Sequence, residues 1–167
     1  MPSYAYREGQ LVKVTDLVIS ESCDLHEAVN RTLIIEGEAE VTSYGPLNGM
    51  VELAPGTVLD ARGTVNGAVN VAREARATFH GSINGLLRVN SGGRARLART
   101  AAAYGTMVID GILINEGARG VQVGGSGVVD DRPSSTVRQS SEARRYSQYL
   151  SQALRAMAGC WKDDPSR

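Results

Sequence analysis

Gly45-Pro46-Leu47-Asn48-Gly49, Gly63-Thr64-Val65-Asn66-Gly67 and Gly81-Ser82-Ile83-Asn84-Gly85 are three copies of one pattern: glycine, any residue, an aliphatic residue, asparagine, glycine. Successive copies start 18 residues apart (63 − 45 and 81 − 63). A fixed period of this kind marks a solenoid, whose single repeat cannot bury its apolar side alone and must stack on its neighbours.

The central aliphatic residues belong to a finer series. Counted in sixes from Leu11, the chain meets Leu17, Cys23, Val29, Ile35, Val41, Leu47, Leu53, Leu59, Val65, Val71, Ala77, Ile83, Val89, Ala95, Ala101, Met107 and Leu113, all apolar. Helices repeat at 3.6 residues and strands at 2, so neither produces six. A coil with three sides of six residues does. Two residues ahead of each position the sides differ: Leu33, Val51, Val69 and Leu87 on one, Ala39, Thr57, Ala75 and Gly93 on another, only Gly45, Gly63 and Gly81 on the third. The fold class is all-β, a triangular parallel β-helix (β-solenoid) of about 18 residues per coil. At roughly 4.8 Å per coil, residues 11–113 hold five to six coils.

Asn48-Gly49, Asn66-Gly67 and Asn84-Gly85 are read as corners, because both residue types tolerate positive φ. Their asparagines would then stack. The column Gly45, Gly63, Gly81 marks a place where no side chain fits the narrow core. Cys23, on the step-of-six face, is expected to be buried. After Leu97 the register weakens, with Arg99 standing where a glycine is due. Aligning Tyr104-Gly105-Thr106-Met107 on Asn84-Gly85-Leu86-Leu87 needs two extra residues, which puts a bulge within 99–103. Ile112, Ile114, Val121 and Val123 would form a last irregular coil, with Gly117, Gly120, Gly124, Gly125 and Gly127 at its turns.

Four segments follow. Residues 1–30, with the alternation Leu11-Val12-Lys13-Val14, are an N-terminal strand or capping segment; residues 31–129 are the solenoid. A polar linker spans 130–140 around Pro133. Residues 141–162 form a C-terminal amphipathic α-helix with Ser141 as N-cap and a stripe of Tyr146, Leu150, Leu154, Met157 and Trp161. That stripe either caps an end of the rod or docks on another chain.

Charge is balanced, 18 basic against 18 acidic side chains, so no overall basic footprint calls for nucleic acid. Its distribution is uneven. Residues 1–60 carry three basic and ten acidic groups (−7), residues 61–130 eight and four (+4), residues 131–167 seven and four (+3). In a solenoid, sequence order is axial position, so the rod is acidic at one end and basic at the other, which suits end-to-end contact. Arg73, Arg76, Arg88, Arg94, Arg96 and Arg99 on the later coils, with the helix stripe, are the candidate partner-contact residues.

The longest unbroken apolar run, Ala101-Ala102-Ala103-Tyr104, is far short of the roughly 20 residues that cross a bilayer, and membrane contact is disfavoured. Residues 1–8 lack the apolar stretch of a secretory signal, so a cytoplasmic location is expected. Two cysteines, Cys23 and Cys160, make neither a disulfide framework nor a metal cluster. No cofactor motif, phosphate-binding loop or G-x-S-x-G is present. The histidines are His26 and His80. The repeat in part resembles that of left-handed hexapeptide-repeat acyltransferases, which use a histidine base. Leu53-Ala54-Pro55-Gly56-Thr57 and Val71-Ala72-Arg73-Glu74-Ala75 fit it, whereas Val65-Asn66 and Ile83-Asn84 do not. By column, Glu74 and Asp60 are the carboxylates nearest His80. The expectation is a chain with no catalytic residue, no metal and no cofactor.

The stretch Gly63 to Leu97, with its Val, Ala and Gly columns, resembles the bactofilins, and the resemblance covers residues 30–115. Those are bacterial polymer-forming cytoskeletal proteins built on a triangular β-solenoid with flanking terminal segments. The resemblance implies a non-enzymatic, self-assembling scaffold whose partner is itself, joined through end-to-end coil stacking. Bactofilin rods are uncapped, and here residues 1–30 and the helix could cover both ends. The alternative is a capped monomeric solenoid that binds or inhibits one protein partner, such as a bacterial toxin or effector that it neutralises or escorts. A hexapeptide-repeat acyltransferase is the third reading.

Overall fold

The computed structural model describes residues 3–138, and over them the chain is a parallel β-solenoid. The expected helix at 141–162, with Tyr146, Leu150, Leu154, Met157 and Trp161, lies outside the described residues. Ser3–Arg7 and Gln10–Val14 form an antiparallel hairpin with no strand pairing to the rod.

Seven coils follow. Face I is a seven-stranded parallel sheet running from Leu17–Ile19 through Leu33–Ile35, Val51–Leu53, Val69–Val71, Leu87–Val89 and Met107–Ile109 to Val123–Gly124. Face II, also seven-stranded, runs from Cys23–Leu25 through Glu40–Ser43, Val58–Ala61, Arg76–Phe79, Arg94–Leu97 and Ile112–Asn115 to Val128–Asp131. Face III starts as single bridges joining Val29, Leu47, Val65 and Ile83, then widens into Ser82–Ile83, Ala102–Ala103, Ala118–Gly120 and Thr136–Arg138. The rod therefore begins at Leu17 and continues to Arg138, wider at both ends than the span 31–129.

Register is 18 residues per coil from Leu33 to Leu87, as the pattern predicts. Leu87 then pairs with Met107, 20 residues on (107 − 87), so the two extra residues are real. They lengthen one corner: Leu97 and Ala103 are six apart where Phe79 and Ile83 are four. The following corner from face I to face II shortens to compensate, four residues from Ile109 to Leu113 against six from Val89 to Ala95. Coils 1 and 6 are 16-residue turns, Leu17 to Leu33 and Met107 to Val123.

Every step-of-six residue from Val29 to Leu113 is buried. The series fails at its start. Leu11 sits in the hairpin at 63% exposure, Leu17 is half-buried, and Cys23 is exposed rather than buried, since its strand is the outermost of face II. Near the other end Ile112 and Ile114 face outward while Leu113 and Asn115 point in.

The glycines need a different explanation from the expected one. None of Gly45, Gly49, Gly63, Gly67, Gly81 and Gly85 has positive φ. Close axial approach requires them: a β-carbon on Gly67 would lie 2.0 Å from the Gly49 carbonyl oxygen, and one on Gly63 2.6 Å from that of Gly45. The left-handed residues occupy the corner between faces I and II instead, where Glu38, Gly56, Glu74 and Gly92 have φ of 59°, 81°, 63° and 82°. Each closes a turn, as in Ala75 N–H to Ala72 O at 3.1 Å. The asparagine stack forms as expected and gains one rung: Asn84, Asn66 and Asn48 each donate through Nδ2 to the Oδ1 one coil earlier, at 2.8, 2.7 and 2.6 Å, ending on Asn30.

Two substitutions separate axial stacking from turn strain. Gly67→Ala should cost about 3 kcal/mol in urea unfolding, because backbone faces backbone there and neither can move alone. Glu74→Gly should stabilise by about 0.5–1 kcal/mol, since a side chain in the left-handed region costs more than glycine's extra entropy. Val65→Asp should prevent folding, because it leaves an unpaired charge in the core.

Candidate functional site

Chemistry gathers along the corner between faces II and III, because each coil returns a residue to the same place. His26, Tyr44, Arg62 and His80 are 18 apart and form one column. The His26 and Tyr44 rings stack at 4.9 Å with planes 3° apart, and the Arg62 guanidinium lies 5.5 Å from the Tyr44 centroid. Asp60 spans the next step, with Oδ2 3.4 Å from Arg62 Nε and Oδ1 2.8 Å from His80 Nε2. Of the two carboxylates expected near His80, it is Asp60 that reaches it; Glu74 lies at the opposite corner, 3.9 Å from Arg73. The stack was not anticipated from the sequence, although its spacing of 18 was there to be read.

One coil beyond His80 the column holds Ala98, and the stack breaks. A shallow hollow of about 430 Å³ opens there, lined by His80, Arg96, Ala98, Arg99, Thr100 and Glu116. The lengthened corner builds it. Thr100 donates to the His80 carbonyl at 2.7 Å, and Arg96 donates to one Glu116 oxygen through Nη2 at 2.6 Å and Nε at 3.2 Å.

The six expected contact arginines do not form one surface. Arg76 and Arg94 are register neighbours on the outside of face II, and Arg96 is paired with Glu116 on the same strand as Arg94. Arg73 and Arg99 stand at two different corners, while Arg88 projects from face I. Among the described residues Arg76, Arg88, Arg94 and Arg99 have no acidic partner within ion-pair distance.

The two ends of the rod differ. At coil 1 the core finishes on half-buried Leu17 and Leu25, and a pocket of about 290 Å³ runs beneath them through Asp24, His26, Glu27 and Arg31. At coil 7 a polar cluster closes the core. Arg119 clamps Asp131 with Nε to Oδ1 at 2.8 Å and Nη2 to Oδ2 at 2.6 Å, and Asn115 donates to Oδ1 at 2.9 Å. Asn115 is fully buried, and its own Oδ1 accepts from the Gly117 N–H. The Arg119 hydrogen bonds hold the Asp131 carboxyl below its ordinary range, against desolvation, which raises it; Asn115 adds to the lowering.

Among the described residues no three His, Cys, Asp or Glu side chains gather as a metal site, and no helix is long and apolar enough to cross a membrane. No protein-family model, curated protein or solved structure matches this chain. The likeness to bactofilins therefore rests on the repeat residues themselves.

Because the folded Asp131 pKa is depressed, its contribution to stability is complete above pH of about 5 and is lost as pH falls through the carboxylate range. Asp131→Asn should cost about 1 kcal/mol at pH 7 and flatten the loss of stability between pH 5 and 3. Urea unfolding at those three pH values checks this, and an unchanged acid slope would refute the assignment.

Proposed function

We propose that this chain is a non-catalytic scaffold protein whose rods join end to end. The observation that carries this reading is the state of the strand edges. Among the described residues no strand pairs with the outer side of coil 1 or of coil 7, so a row of backbone donors and acceptors is presented at each end. Such edges template further pairing unless something blunts them. The two ends differ in charge, which favours one polarity of contact. Glu21, Asp24 and Glu27 outnumber Arg31 on coil 1, with Asp16 just before it, whereas on coil 7 Asp130 and Asp131 balance Arg132 and Arg138. A coil 1 end set on a coil 7 end avoids the repulsion of two acidic ends, and such a head-to-tail, heterologous contact grows as an open filament when rotation does not close it. A bacterial cytoskeletal role of the bactofilin kind is the specific form of this proposal.

The His80–Asp60 pair fits an ordinary product of register. Asp60 pairs with Thr78, and His80 follows two residues later, so the coil places them together without any demand from catalysis. The reading therefore keeps the chain non-enzymatic over an acyltransferase role.

A second reading has its own support. The Asn115–Arg119–Asp131 cluster satisfies its own polar side chains at coil 7, which suits a terminus closed without a partner. A rod capped there would be a monomeric module offering its faces to one protein partner.

Light scattering and negative-stain microscopy across protein concentration distinguish the two. The scaffold reading expects particles that lengthen with concentration in steps of one rod, roughly 30–35 Å. A monodisperse particle of constant size across a hundredfold range would overturn the scaffold and leave the capped module.

A further inference from the structure

Two adjacent outward columns of face I share a symmetry that the third, from Glu36 to Asp110, lacks, and Asn70 at their centre also accepts from Asn90 Nδ2 at 2.9 Å. The central outward column, one residue per coil from coil 2 to coil 6, reads Ile34, Glu52, Asn70, Arg88, Val108, held in register by the parallel pairing. Turned end for end about Asn70, aliphatic meets aliphatic, acid meets base, and asparagine meets asparagine. The neighbouring column repeats this about the same coil. Met50 and Leu86, exposed at 41% and 37%, flank Ala68, and the carbonyls of all three accept from successive coils in order. Glu52 and Arg88 are two coils apart, roughly 10 Å, and neither has an ion-pair partner among the described residues.

We infer that face I is an isologous docking surface for a second copy of this chain, lying antiparallel, with a two-fold axis through coil 4. A two-fold lying in the contact plane along the strand direction reverses the rod axis but keeps each column opposite itself. Glu52 then faces Arg88 of the second copy, and Arg88 faces its Glu52. Met50 and Leu86 cross in the same way, and the small Ala68 sits at the centre. A parallel arrangement would set Glu52 against Glu52 and Arg88 against Arg88, so the charges select the antiparallel one. Self-complementarity of one patch is what a two-fold interface demands.

The area is small. Five coils span roughly 25 Å and the face is on the order of 15 Å wide, about 400 Å² per copy, half of the ~800 Å² per partner of a stable complex. An isolated pair is therefore weak. If rods also join end to end, as proposed above, each added rod adds another such contact and the association strengthens through effective concentration. The lateral contact itself does not depend on that reading.

Disulfide trapping tests it on the full chain with Cys23→Ser and Cys160→Ser as background. Asn70→Cys lies on the two-fold and should cross-link to itself under mild oxidation, giving a dimer on non-reducing gels. Glu52→Arg or Arg88→Glu added to that variant should each reduce the dimer yield severalfold, and the two together should restore it, because the swap preserves complementarity. Thermal unfolding of each variant shows that it is folded. A folded Asn70→Cys protein that yields no dimer, or a double swap that fails to restore it, overturns the inference. Filaments by microscopy without the Asn70→Cys cross-link would leave end stacking standing and remove lateral pairing. The cross-link in particles one rod long would do the reverse.

Discussion

Coil-on-coil contact through the backbone is the constraint from which the rest of this structure follows. The Gly49 carbonyl oxygen occupies the space that a β-carbon on Gly67 would need, and the Gly67 carbonyl stands in the same relation to Gly85. At such spacing a residue's neighbours above and below are fixed by register, and each position along the coil becomes a column. Columns reward side chains that suit their own kind. Asparagine donates with one atom and accepts with another, so a stack of Asn30, Asn48, Asn66 and Asn84 satisfies itself. Flat rings gain likewise, as His26 and Tyr44 show. Arginine has donors only, and Arg76 over Arg94 repels at a cost of roughly 1 kcal/mol or less in water. A like-charged column is therefore the exception that asks for a partner, whereas an asparagine column asks for nothing.

This constraint also explains how much could be read from the sequence. Inward positions recur at six because each face spends its residues in the same way, so the core from Val29 to Leu113 was legible in advance. The count misled where corner length changed. Ile19, not Leu17, aligns with Ile35, because the corner leading from face I to Cys23 is two residues short. Leu17 still satisfied the step of six, since the column two residues earlier is apolar as well. Asn30 escaped the asparagine–glycine motif because Arg31 follows it. Glycine is demanded only where a full turn lies beneath, and Arg31 stands at the first corner, over the entry residue Thr15, to whose carbonyl its guanidinium donates at 3.4 Å. The Arg119–Asp131 clamp was out of reach for a related reason. Those residues meet across two faces of a 16-residue coil that the 18-residue pattern cannot generate.

The outward columns were harder to read than the inward ones because no burial rule selects them. Polar, charged and small residues all sit in water at similar cost, so single positions such as Glu52 and Arg88 carry no signal alone. Only once the register is known do they become members of one column with a centre at Asn70. Grouping the six arginines by sequence proximity mixed two faces and two corners. The solenoid separates residues close in sequence, such as Arg94 and Arg99, and aligns others 18 apart.

The charge gradient and the face I palindrome bear on assembly in opposite directions. A rod with acidic coils 1 to 3 and a basic surplus on coils 4 and 5 has an axial dipole, and head-to-tail stacking adds those dipoles along a filament. Side-by-side rods pointing the same way would set acidic coils against acidic and basic against basic along their whole length. Antiparallel rods turned about coil 4 set acidic coil 3 against basic coil 5, but they also set acidic coil 2 against coil 6, where Asp110 and Glu116 outnumber Arg119. The Glu52 and Arg88 arrangement selects the antiparallel sense on local grounds, so the local contacts and not the global field choose it. Both depend on charges at the surface, where interactions beyond roughly 8 Å are screened at physiological salt, so the facing pairs outlast the long-range field as ionic strength rises. An assembly governed this way grows in either axial direction and carries no overall polarity, because each rod lies beside one that points the other way.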